Sequence, residues 1–142
     1  MTGANGNLSK RGQQGTQILD CGIDLGGKIN VEQGTLVFGS SSRFVRRSEI
    51  VVQSGATLQI RNNETYDPII NFGGTINIYG NVSATSIQNL QGGVLNLNGG
   101  SSLAIDLVSG GLLNNQGGVL SPGNSPGKTL ITGDYQQGSG GS

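Results

Sequence analysis

The sequence predicts an all-β fold, a single-chain parallel β-helix (β-solenoid) of about six rungs of roughly 18–25 residues each. Three observations point there. Glycine recurs just ahead of short segments whose apolar residues stand two apart, as in a strand with one face in and one face out. The anchors of those segments, Ile18, Leu36, Leu58, Ile76, Leu95 and Leu120, are separated by 18, 22, 18, 19 and 25 residues, a solenoid period. Asparagine, normally depleted in strands, recurs in or beside them at Asn30, Asn71, Asn77 and Asn96, where stacked amides can bond along a ladder.

In chain order, the glycine-led strands are Gly15-Thr16-Gln17-Ile18, Gly34-Thr35-Leu36-Val37-Phe38 and Gly55-Ala56-Thr57-Leu58-Gln59-Ile60. Gly74-Thr75-Ile76-Asn77-Ile78, Gly93-Val94-Leu95-Asn96-Leu97 and Gly118-Val119-Leu120 follow. Second strands are expected between them at Lys28-Ile29-Asn30-Val31, Glu49-Ile50-Val51-Val52, Ile69-Ile70-Asn71-Phe72 and Leu103-Ala104-Ile105-Asp106-Leu107. These are short, alternate in polarity and are bounded by Gly, Asn and Ser. No stretch sustains helical periodicity, and the glycine density opposes helix throughout. The six anchors then stack as an interior core ladder about 4.8 Å apart, in a rod of roughly 30 Å. The alternative is a β-sandwich with Asn98-Gly99 as a hairpin turn. It explains the short strands but not the vertical match of the anchors. With no capping helix in view, residues 1–142 read as one segment of a longer solenoid.

Composition bounds the chemistry. The 142 residues suit one domain, and 38 of them are Leu, Ile, Val or Phe, enough for a core. Eight Lys and Arg balance eight Asp and Glu, so there is no basic footprint for nucleic acid. There is no histidine, which excludes His general bases and His metal sites. One cysteine excludes an internal disulfide and a Cys-based zinc site. The longest apolar run is far too short for a membrane-spanning helix, and the N-terminus lacks the basic and apolar regions of a signal peptide.

The C-terminal stretch carries a family likeness. It reads Gly118-Val119-Leu120-Ser121-Pro122-Gly123-Asn124-Ser125-Pro126-Gly127-Lys128-Thr129-Leu130-Ile131-Thr132-Gly133-Asp134-Tyr135-Gln136-Gln137-Gly138. It resembles the passenger-associated transport repeat of bacterial autotransporters: glycine, an apolar pair, a P-G-N-S-x-G loop, a T-L-x-I-x-G-x-Y strand and a glycine-rich turn. One lysine is inserted before Thr129. Leu8 to Gly12, with Gly27 to Phe38, is similar to the autotransporter-associated β-strand repeat. Residues 43–92 match more loosely. The resemblance implies a right-handed parallel β-helix, exported across the outer membrane of a Gram-negative-type bacterium. It implies a repeat linked to passenger transport and folding rather than to catalysis. It also implies further chain after Ser142, including an outer-membrane barrel domain as partner. The loop fits its chemistry: Pro122 and Pro126 preset φ and donate nothing, Gly123 and Gly127 allow positive φ, and Leu130 and Ile131 re-enter the sheet. The motif residues singled out are Gly118, Pro122, Gly123, Asn124, Ser125, Pro126, Gly127, Leu130, Gly133 and Tyr135.

Other features carry weaker chemistry. Gly123 to Thr129 ends like a phosphate loop, but it has three residues between its glycines where that motif has four, and a strand follows it, so nucleotide binding is not expected. Asp20, Asp24 and Glu32 are too few for a calcium cluster, and no metal or cofactor is expected. Arg43, Arg46, Arg47 and Arg61 are the one basic concentration, read as a solvated turn or as an adhesive patch for anionic glycans. Cys21, in an apolar segment with no base available, reads as a small buried hydrophobe. Three glycosylation sequons are chance matches in an Asn- and Ser-rich chain, and Tyr66, Tyr79 and Tyr135 are too scattered for a sugar platform. The expectation is a non-catalytic, surface-displayed stalk that assists export and folding. The alternatives are an adhesin binding glycans or neighbouring cells, and a fibre of copies stacked end to end.

Overall fold

Alternation with a period of two leaves each short segment one apolar edge to bury, and the chain buries those edges by coiling. The computed structural model describes residues 2–12, 15–105, 111–122 and 128–142. Strands β1 (Thr2–Lys10), β2 (Thr16–Leu19) and β3 (Gly22–Val31) begin the coil. Then follow β4 (Thr35–Phe38), β5 (Arg43–Phe44) and β6 (Glu49–Gln53), and β7 (Thr57–Ile60), β8 (Thr65–Tyr66) and β9 (Ile69–Phe72). Two more turns are β10 (Thr75–Ile78), β11 (Asn81–Ala84) and β12 (Ile87–Leu90), and β13 (Val94–Leu97), β14 (Ser102–Ile105) and β15 (Leu112–Gln116). The last comprises β16 (Val119–Ser121), β17 (Leu130–Thr132) and β18 (Asp134–Gln137).

These strands form a parallel β-solenoid of about six turns with three faces. The first face stacks β1-β3-β6-β9-β12-β15-β18, the second β2-β4-β7-β10-β13-β16, and the third β8-β11-β14-β17. β5 pairs with the start of β3, so the long β3 turns the corner from third face to first. Interior residues align rung on rung. On the first face Leu8, Ile29, Ile50, Ile69, Ile87, Leu113 and Tyr135 are in register. On the second, Leu36, Leu58, Ile76, Leu95 and Leu120 are in register, as expected. Beside them Leu19, Phe38, Ile60, Ile78 and Leu97 form a second column. Leu120 is only partly buried because it lies in the last strand of its face.

Two expectations need correction. Ile18 is not in the core ladder: it is 60% exposed and pairs with Val37, while Gln17 stands opposite Leu36. A one-residue change of register sends every side chain to the other face. At this end strand the inward positions are Gln17 and Leu19, and Leu19 packs against the core. Second, each turn has three strands where two were expected. Leu103 to Ile105 lies on the third face, not with Ile29, Ile50 and Ile69 on the first. Residues 106 and 107 of that expected strand lie outside the described residues.

A further interior column runs along the corner between first and second faces. Val31, Val52, Asn71, Asn89, Asn115 and Gln137 are in register. Asn71, Asn89 and Asn115 are at most 1% exposed, so each amide must find its partners inside. Asn71 Nδ2 donates to Asn89 Oδ1 at 2.9 Å, Asn89 Nδ2 to Asn115 Oδ1 at 2.9 Å, and Asn115 Nδ2 to Gln137 Oε1 at 3.2 Å. The second amide hydrogens reach backbone carbonyls of Gly74, Val119 and Ser142, each at 3.0 Å. The ladder therefore has a direction, with donors pointing toward the C-terminal turns. Asn71 begins it above Val52, and its Oδ1 is buried without a partner.

The glycine pairs of the sequence serve this column. Gly92, Gly117 and Gly140 take the turn with φ of 80°, 74° and 76°, which side chains other than glycine seldom adopt. The next residue lies against the amides. A Cβ on Gly93 would stand 2.7 Å from both Asn71 Nδ2 and Asn89 Oδ1, and one on Gly118 2.8 Å from Asn115 Oδ1. One turn before Asn71 the column residue is Val52, and the position of the second glycine there holds the buried Ala56. Of the sequence-stated asparagines, Asn71 belongs to this ladder. Asn77 and Asn96 make a separate outer pair, with Asn96 Nδ2 donating to Asn77 Oδ1 at 2.7 Å. Asn30 pairs with Val51 and joins no amide ladder.

Candidate functional site

The family-like stretch forms one turn. β16 lies over β13, β17 over β14 and β18 over β15. Gly118 is the glycine beneath the amide column, and Pro122 follows β16 at the corner. Gly123, Asn124, Ser125, Pro126 and Gly127 lie outside the described residues. The chain is tied down again where Gly100 N donates to Lys128 O at 3.2 Å and Thr129 Oγ1 to Leu97 O at 3.3 Å. Leu130 opens β17 and is 63% exposed, whereas Ile131 packs against the core opposite Leu103. Gly133 turns the corner at φ 122°, where a Cβ would stand 2.7 Å from that of Ile105. Tyr135 continues the column of the first face opposite Leu113 but, on the last strand, is 44% exposed, and its hydroxyl donates to Gln137 Oε1. The motif residues within the described set thus set corners and close the last turn.

The four arginines are not one patch. Arg46 lies along Asp24 one turn away, with Nε 2.8 Å from Oδ1 and Nη2 donating to Oδ2 at 3.2 Å. Arg43 Nη1 donates to the carbonyls of Ser40 and Ser42 at 3.0 and 2.7 Å, and its Nε stands 3.9 Å from Glu64. Arg61 lies over the Tyr79 ring, 4.3 Å from its centroid, and donates to Gln59 Oε1 at 3.2 Å. Arg47 is exposed and has no partner among the described residues. The clustering legible in sequence therefore dissolves into three local ties and one free guanidinium.

Asp20, Asp24 and Glu32 do not converge. Asp20 Oδ1 accepts from Ser41 N at 2.8 Å, Asp24 holds Arg46, and Glu32 Oε2 accepts from Arg11 Nε at 2.9 Å. Among the described residues no three metal-ligating side chains come together. Cys21, expected in the core, is exposed at the bend between β2 and β3, and the inward place is taken by Ile23 two residues on.

A buried polar chain escaped the sequence reading. Tyr66 hydroxyl donates to Asn62 Oδ1 at 2.8 Å, Asn62 Nδ2 to Ser42 Oγ at 2.9 Å, and Ser42 Oγ to Gly39 O at 2.7 Å. Tyr66 also packs on Phe38 and Phe44, with ring centroids 5.9 and 5.3 Å away. Burial pushes its phenol well above the ordinary value of 10.0; the Asn62 hydrogen bond opposes this and Glu64 adds to it. Asn62 follows a glycine-led strand like many surface residues, so only its burial marks it out.

No family model, no curated protein and no solved structure matches this chain.

Proposed function

We propose that this chain is a non-catalytic structural segment of a secreted or surface-displayed, autotransporter-like passenger of a Gram-negative-type bacterium. Its work is mechanical. Turns stacked by parallel strands, a filled interior and an internal amide column make a stiff stalk that holds other parts away from the cell. Formation of turns one upon another outside the cell would favour export, since each turn that folds cannot slip back. The partner on this reading is an outer-membrane barrel of the same parent chain.

The observation that carries the reading is the 118–138 stretch. It resembles the passenger-associated transport repeat, and its described residues form one turn of a parallel β-solenoid. The test is display. Antibody against this chain should label intact cells of the producing bacterium, and brief protease treatment of intact cells should remove the epitope. Labelling only after lysis would sink the proposal.

A further inference from the structure

The third face carries a groove of about 220 Å³, lined in part by Arg47, the one arginine of the four with no tie among the described residues. Its floor is a column of small outward side chains, Thr65, Ser83 and Ala104, in register on β8, β11 and β14. Adjacent strands in a sheet lie about 4.8 Å apart, so this floor spans roughly 10 Å. Arg47, Thr85 and Ile105 also line the groove. Thr85 Oγ1 is buried beneath the groove surface, with no hydrogen-bond partner among the described residues, and its backbone N–H is bound to Tyr66 O at 3.2 Å. Asp67, the carboxylate of the same corner, does not line the groove.

We propose that this groove is a binding site for an anionic sugar residue, a uronate within a glycan. The guanidinium of Arg47, without a partner among the described residues, can take the sugar carboxylate in the bidentate geometry that arginine favours. The hydroxyls of Thr65 and Ser83 match sugar hydroxyls, since each donates one hydrogen bond and accepts others. Ala104 and Ile105 offer apolar surface to the C–H face of a pyranose. The volume equals that of about seven liquid waters, which suits one sugar residue rather than an oligosaccharide. A single residue in an open groove binds in the millimolar range and gains by avidity when a polymer meets many copies on one surface. The zero net charge and the pairing of Arg46 with Asp24 argue against nucleic acid and densely sulfated chains, which need a basic stripe. The site is independent of the stalk reading.

The test is a two-dimensional NMR titration of the whole ¹⁵N-labelled chain with galacturonate, with galactose and acetate as controls. Galacturonate should shift the amides of Thr65, Ser83 and Thr85 and saturate at millimolar concentration. Arg47→Gln should weaken this about tenfold, the worth of one charge-assisted pair. Arg46→Gln should leave it unchanged. Ser83→Ala should also weaken binding while leaving the urea midpoint nearly unchanged, because it removes a hydroxyl from the groove floor and nothing from the core. Shifts that survive Arg47→Gln, equal shifts with acetate, or no saturable shift at all would each overturn the assignment.

Discussion

Tyr66 places a phenol in the interior with a single neutral acceptor, and that arrangement makes stability depend on pH. In the unfolded chain the phenol ionises near its ordinary value of 10.0, whereas in the folded chain burial holds it protonated to higher pH. The folded state therefore binds more protons above that value, and stability falls as pH rises. The contribution is complete below pH ~10 and declines by about 1.4 kcal/mol per pH unit above it. Tyr66→Phe separates this effect from other alkaline losses. At neutral pH the substitution strands Asn62 Oδ1 and should cost about 1–2 kcal/mol. Above pH 10 the variant should lose stability less steeply than the parent. Urea midpoints of both proteins between pH 8 and pH 11.5 check this, and parallel slopes would contradict it.

At the scale of the element, the corner after each first-face strand is a unit of asparagine and paired glycines. Gly118→Ala would press a Cβ onto the Asn89 amide and against Asn115 Oδ1, 2.8 Å away. Asn89→Ala would leave Asn115 Oδ1 without its donor and take from Asn71 Nδ2 its side-chain acceptor, leaving it backbone carbonyls alone. Each substitution should cost about 2–4 kcal/mol, from overpacking in one case and unpaired buried amides in the other. Together they should cost at least about 1 kcal/mol less than their sum, since the smaller residue 89 gives the new methyl room. A double-mutant cycle by denaturant unfolding measures that coupling, and simple additivity would contradict the shared corner.

This unit also shows what the sequence made legible. Leu36, Leu58, Ile76 and Leu95 were readable because a turn glycine, a β-branched or small residue and an alternating apolar pair recur in one order. The third face was not, because Arg43–Phe44 and Thr65–Tyr66 are two residues long and Asn81–Ala84 is half polar. Alternation says that one side of a strand faces in, but not which side when both carry amides. Hence Asn89 and Asn115 passed unnoticed and Asn30 was grouped with Asn71. The discriminating signal was the second glycine, present in Gly73-Gly74, Gly92-Gly93 and Gly117-Gly118 and absent after Val52, where Ala56 stands. In the arginine cluster, proximity along the chain suggested a patch. The turn spacing instead brought Asp24 to Arg46 and Glu64 toward Arg43, so charge was spent between turns.

At the scale of the whole molecule, every turn rests on its neighbours alone. The four ion pairs among the described residues, Arg11–Glu32, Lys28–Glu49, Arg43–Glu64 and Arg46–Asp24, each join adjacent turns. Six of their eight side chains are more than a third exposed, so these pairs contribute only tenths of a kcal/mol each and salt should change stability little. Stability is instead a sum of nearest-neighbour stacking terms, the energetics of a one-dimensional repeat. The two ends of the chain lie at opposite ends of the first face, β1 first and β18 last.

That placement has a consequence for load. A pull on the two termini acts along the direction of the inter-strand hydrogen bonds, so it peels the end turn before it strains the next. Partner residues in adjacent turns lie 18 to 28 positions apart, as in Ile69 with Ile87 and Leu103 with Ile131. Each peeled turn of about 20 residues would release ~70 Å of slack. In optical tweezers the chain should lengthen in a staircase of such steps at low, similar forces. A single rip of the full contour would contradict it. A tether built this way gives under tension a turn at a time, rewinds on the turn still in place, and cushions whatever hangs from it.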